Sequence, residues 1–190
     1  MHTYTDKCLS KKITTESESL ERKIKRDPES RALAALHKGL KNLPPKRQPH
    51  VSLQLVADLS KKLTRATYVA LSITDKHDRV EGFITSGLSN SELARLSTPP
   101  QGHGPLGSLR LDGRPVHFEN VQNHAKAFGF PSNHPEMTAM IGVAIWVSGS
   151  VRGALYATDR KGNRGFNLDD EVILSALASH AGRVIETEWY

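Results

Sequence analysis

The chain has 190 residues, 37% of them hydrophobic and 24% charged, with a formal net charge of +6. That size and balance suit one globular domain with an appendage and argue against a wholly disordered chain. The longest apolar run, Ile141 to Val147, is too short to span a bilayer, and the single cysteine, Cys8, excludes an internal disulfide and a cysteine-rich zinc site.

The charge excess is local. Residues 1–47 hold twelve Lys/Arg and six Asp/Glu, whereas residues 48–190 hold fourteen of each. The first 30 residues lack the apolar core of a secretory signal, so the expected compartment is the cytoplasm. Residues 1–47 read as a basic extension, partly disordered and partly helical, and 48–190 as the domain. With Tyr4 its one aromatic, the extension fits a solvated tail better than an arm gripping nucleic acid.

Asp27-Pro28-Glu29 predicts a helix start, with Leu33, Leu36 and Leu40 at helical spacing and Pro44-Pro45 as the stop. A second helix is expected from Pro49 to about Arg65, with Val51, Leu55, Leu59 and Leu63 as its stripe, widened by Leu53 and Val56. Thr67–Thr74 and Val80–Ser86 are β-branched runs around a polar turn at Lys76–Arg79, which predicts a hairpin. A short helix follows at Asn90–Leu96, then a Gly/Pro-rich loop at Pro99–Gly107, a short helix at Leu106–Leu111 and a short strand at Pro115–Phe118. Asn120–Met137 has no regular period, and a loop of that length in a compact domain carries function or is disordered. Ala139–Val147 and Val151–Thr158 are two more strands around Ser148-Gly149-Ser150. Asn167 is the expected cap of a long last helix whose apolar face includes Ile173, Leu174, Leu177, Ala181 and Val184. Successive hairpins between helices predict an α+β fold: a central antiparallel sheet of about five or six strands flanked by N- and C-terminal helices.

Common catalytic signatures are missing. Gly102, Gly104 and Gly107 give G-x-G-x-x-G, but they follow Pro99-Pro100 rather than a strand, which rejects a dinucleotide site. The nine histidines form no helical or strand pair suited to a multi-histidine metal site. The informative segment is Phe128-Gly-Phe130-Pro-Ser-Asn-His134-Pro-Glu-Met137. Pro135 biases His134 toward an extended backbone among apolar neighbours, an arrangement suited to a flat apolar cofactor with a metal centre. Residue types alone favour a histidine that hydrogen-bonds its own loop. Tyr156 has Ala154 and Thr158 on its strand face, small residues that leave room beside the ring. Its hydroxyl needs a partner, either a ligand or a backbone carbonyl.

The last hairpin, then Arg160-Lys-Gly-x-x-Gly-Phe166-x-x-Asp-Asp170-Glu171 and a long apolar helix, resembles the end of a GAF domain, and the likeness runs from about Pro49 to Tyr190. Gly129-Phe-Pro-x-Asn-His-Pro-x-Met137, Ile141-Gly-Val-x-Ile145 and Gly153-x-Leu-Tyr156 are similar to the haem-binding first GAF domain of DevS/DosT-type sensor histidine kinases. There the histidine is the axial ligand of a b-type haem and the tyrosine bonds bound oxygen on the distal side. The resemblance implies haem b held by His134, with Tyr156 as distal donor to O2, NO or CO. It makes Phe128, Phe130, Met137, Ile141, Val143 and Ile145 wall candidates, the last three on one strand face that parity does not identify.

This sequence also departs from those kinases. Ser72 and Thr74 stand where they carry bulkier polar residues near the haem edge, while Asp75 matches. They continue into a second GAF domain and a kinase core. The expectation here is a stand-alone sensor that relays to a separate kinase or regulator, with a homodimer through the terminal helices as a further option and no membrane or nucleic-acid partner. Enzymatic activity is not expected: the GAF-type free methionine sulfoxide reductases need several cysteines, and covalent bilin attachment needs one within residues 48–190, which have none. Phe166, Asp170 and Glu171 match part of a cyclic-nucleotide signature, but Arg160-Lys161 replaces its Asn-Lys, so they read as core and helix start. The competing expectations are a haem-free receptor for a small anion or metabolite, such as nitrate or a nucleotide, and a purely structural dimer module.

Overall fold

The computed structural model describes residues 26–95, 109, 111–119, 121, 137–162 and 165–190. Helix α1 (Pro28–Lys41) starts where Asp27 accepts a hydrogen bond from the Ser30 amide at 2.7 Å and Pro28 presets the first turn. Helix α2 spans Pro49–Thr64. Strands β1 (Ala66–Thr74) and β2 (Val80–Ser86) form a hairpin, followed by a short helix α3 (Asn90–Arg95). Strand β3 (Val116–Phe118) precedes a second hairpin, β4 (Met140–Val147) and β5 (Ser150–Arg160). Helix α4 (Leu168–Val184) ends in a π-helical turn at Ile185–Trp189. Asn167 and Asp170 close a reciprocal capping box at its start, as the sequence predicts. The expected loop at 99–107 and nearly all of 120–137 lie outside the described residues, as does most of the short helix at 106–111.

The five strands pair antiparallel in the order β2-β1-β5-β4-β3, which is the predicted α+β architecture. Helices α1, α2 and α4 pack together, and α2 and α4 lie on one face of the sheet. Helix α1 belongs to this layer although it precedes residue 48: Ala32 and Leu36 are buried in the same core as Leu71, Leu155 and Leu177. No helix among the described residues is long and apolar enough to cross a membrane.

The buried face of α2 differs from the leucine stripe that its spacing suggests. Leu55, Leu59 and Leu63 only flank the core and Val51 is 37% exposed, while Ser52, Ala57, Ser60 and Thr64 are buried beside Leu53 and Val56. The hydroxyls are satisfied locally: Ser60 and Thr64 donate to the carbonyls of Val56 and Ser60 at 2.8 and 2.7 Å, and Ser52 accepts from Arg47 Nε at 2.6 Å. A hydroxyl bonded within its own helix is buried without an unmet partner, and its small size lets the helix approach closely.

At the β1–β2 turn, Asp75 accepts from the His77 and Arg79 amides and from Arg79 Nε. The Arg79 backbone bond, its side chain and the His77 amide pull the carboxyl down to about 2, against the opposing effect of burial.

Candidate functional site

Both faces of the sheet are covered, and register separates them. Toward the helices point Val69, Leu71 and Ile73 of β1, Leu155 and Ala157 of β5, and Ile141, Val143 and Ile145 of β4. The opposite face carries Tyr68 and Ala70, Ala154 and Tyr156, and Met140 and Ala144. Cross-strand pairing sets this second face in rows. Ser72, Ala154 and Ala144 lie side by side across the three central strands. The adjacent row is Ala70, Tyr156 and Gly142, and the next is Tyr68, Thr158 and Met140.

Two consecutive rows therefore hold small residues around one phenol. They form a trough in the sheet with Tyr156 rising from it. The trough keeps some accessible surface: Ala144 and Ala154 are 8% exposed and Ser72 is 6% exposed, against 0% for Leu71, Ile145 and Leu155 on the helix side. Both faces are buried, and the trough differs in its small side chains, which leave slightly more surface accessible than the large aliphatic residues of the helix side. Its border is apolar, with Leu109, Val121, Met137 and Phe118 in the same cluster. Leu109 comes so near the sheet that a Cβ on Gly142 would lie 2.8 Å from its Cδ1, so Gly142 allows this wall to close.

The Tyr156 hydroxyl donates to Ser72 Oγ at 3.2 Å, a long contact for two hydroxyls. Tyr156 has one proton to give. If the Ser72 hydroxyl turns to donate toward Tyr156, that proton is freed for a ligand in the trough. Tyr68 sits diagonally beside Tyr156. Burial, then the neighbouring Tyr156 and Asp159, push its phenol well above the ordinary tyrosine range. Tyr68 therefore stays neutral while the protein is folded. An unfolded phenol ionises near pH 10. The stability that Tyr68 contributes is thus fully present below about pH 10 and is lost as the pH rises further. Denaturant midpoints are expected to fall more steeply between about pH 9 and 11 in wild type than in Tyr68→Phe.

Of the residues singled out in the sequence, Tyr156 and Met137 share this face. His134, Phe128 and Phe130 lie outside the described residues. Ile141, Val143 and Ile145 are corrected: they belong to the helix-facing core, on the far side of the sheet from Tyr156, and cannot wall a cavity with it. Strand alternation puts them together but leaves their face open when both faces are apolar. Ser72, which the resemblance places near the haem edge, is brought beside Ala154 by register. One contributor was missed. Asp159, in a left-handed conformation (φ 48°), accepts from the Thr138 and Ala139 amides at 2.9 Å each and ties the segment carrying Met137 to the end of β5. An aspartate at a strand end in such a conformation is the signal that could have revealed it.

Among the described residues no three His, Cys, Asp or Glu side chains gather to hold a metal ion. A metal carried in a macrocycle does not need such a cluster, since one axial side chain suffices. The trough has a small-residue floor, apolar borders and one hydroxyl donor.

A GAF domain family model matches residues 47–186. The chain is similar to the GAF domain from an Acinetobacter phosphoenolpyruvate-protein phosphotransferase, at 19% identity and TM-score 0.64 over 80% of this chain and 91% of that one. It is similar to the corresponding domain from Coxiella burnetii, at 20% identity and TM-score 0.64 over 81% and 92%. It also resembles a free methionine-R-sulfoxide reductase from Neisseria meningitidis solved with its substrate, at 18% identity and TM-score 0.63 over 86% and 93%. At these identities the solved structures establish the fold alone.

Proposed function

Because this chain belongs to the GAF domain family, whose members sense small molecules and signal, we propose that it is a haem b sensor of diatomic gas acting on a separate signalling partner. The observation that carries this reading is the trough of Ala70, Ser72, Ala144 and Ala154 around the Tyr156 phenol. The His134 block and its distance in sequence from Tyr156, as in the haem-binding sensor kinases, support the cofactor. Haem supplies an iron that binds O2, NO or CO reversibly. In this reading His134 would supply the nitrogen that holds the iron. Met137, Met140 and Phe118 would keep water from the apolar group. Tyr156 would donate a hydrogen bond to the gas, with Ser72 orienting the phenol.

A phenol stabilises the partial negative charge on bound O2 more than it stabilises CO. Protein loaded with haemin and reduced is therefore expected to release O2 about tenfold faster after Tyr156→Phe, with CO release nearly unchanged. Equal effects on both gases would contradict the distal role. A colourless protein whose melting temperature rises with nitrate would instead mark it as an anion receptor.

A further inference from the structure

A cavity of about 510 Å³ opens at the C-terminal end of α2 and shares no residue with the trough. It is lined by Asp58, Lys61, Lys62, Arg65, Ala66, Ser86 and Lys161. Four cations face one carboxylate there, although residues 48–190 as a whole carry no net charge. Asp58 is engaged by Gln54 Nε2 at 3.1 Å, and none of the four cations pairs with a described carboxylate.

Cations near a helix C-terminus are favoured by the dipole, which accounts for Lys61 and Lys62. It does not account for the remaining features. Arg65 caps α2 in the left-handed region (φ 60°, ψ 28°), a position that favours glycine or asparagine. The Lys161 amide donates to the Arg65 carbonyl at 2.9 Å, bringing a cation from beyond β5 to the same mouth. The stem of Lys61 lies across Gly87 (φ +104°), where a Cβ would come within 2.7 Å of its Cε. The absence of a side chain at Gly87 leaves room for Lys61 to run there.

We propose that this cleft is a binding site for a compact polyanion of the inorganic or esterified di- or triphosphate class. Its volume falls in the small-ligand range, and lysine and arginine are the side chains that hold phosphoryl oxygens. Among the described residues the lining has no aromatic ring to stack a base, so the charges carry recognition, with the Ser86 hydroxyl as an added donor. The inference is independent of the haem reading.

Calorimetric titration of the full chain with inorganic tripolyphosphate tests it. One site per chain is expected, weakening as ionic strength rises. Lys62→Glu/Lys161→Glu, both on exposed side chains, is expected to weaken binding by about tenfold or more. Asp58→Asn is expected to tighten it. Lys41→Glu/Lys46→Glu changes the net charge equally outside the cleft and is expected to leave binding within about twofold. No binding by wild type, or an equal loss in both charge-reversed pairs, would overturn the proposal.

Discussion

Ala154→Leu is expected to abolish haem uptake while leaving a folded protein. Ala154 lies on the central strand between Ser72 and Ala144, and its methyl group faces the trough. Three added carbons would project from this face rather than toward the helical layer. The residue keeps 8% of its surface exposed, against 0% for a fully enclosed site, so the expected loss of stability is at the low end for overpacking, about 1 kcal/mol. The paired control is Ala157→Leu on the same strand. Ala157 is 0% exposed and faces the helices, where overpacking costs about 1–3 kcal/mol. Haemin titration and thermal melts of the two variants separate the faces: Ala154→Leu loses colour and keeps most of its stability, whereas Ala157→Leu loses more stability. An Ala154→Leu protein that takes up haemin like wild type would show that the trough is not the binding surface.

The second large effect is expected at Gly182. A Cβ there would lie 2.2 Å from the Trp146 carbonyl oxygen and 3.7 Å from Ile145 Cγ2. The first of these is backbone, which cannot rotate away, so α4 or β4 must shift. In an exposed helix Gly→Ala would gain about 1 kcal/mol. Here the collision outweighs that gain, and Gly182→Ala is expected to lower unfolding free energy by about 1–3 kcal/mol. Urea denaturation measures it, and a stabilised variant would contradict the close approach of helix and sheet. The same shift would move Ile145 and Trp146 of β4, the strand that carries Ala144, so haem affinity is expected to fall as well.

Much of the fold was legible in the sequence because its signals are local. Asp27-Pro28 and Asn167 mark helix starts through side chains that bond the adjacent backbone. β-branched runs around Ser148-Gly149 and Lys76–Arg79 mark hairpins. The buried face of α2 was not legible, because hydropathy ranks Ser60 and Thr64 as polar while their hydroxyls are satisfied inside the helix. The faces of Ile141, Val143 and Ile145 were not legible either. All but one residue of β4 is buried, so alternation has no polar side to orient it. The trough is a property of register: Ser72 is far in sequence from Ala144 and Ala154, and only strand pairing makes the three neighbours.

The central claim is that the sheet face bearing Tyr156 receives a haem ligated by His134. Its most direct test is the absorption spectrum during haemin titration of wild type and His134→Ala. The account predicts a sharp Soret band saturating at one haemin per chain in wild type, and its loss or displacement in the variant, with free imidazole restoring it. No band in wild type, or an unchanged band in His134→Ala, would contradict the account.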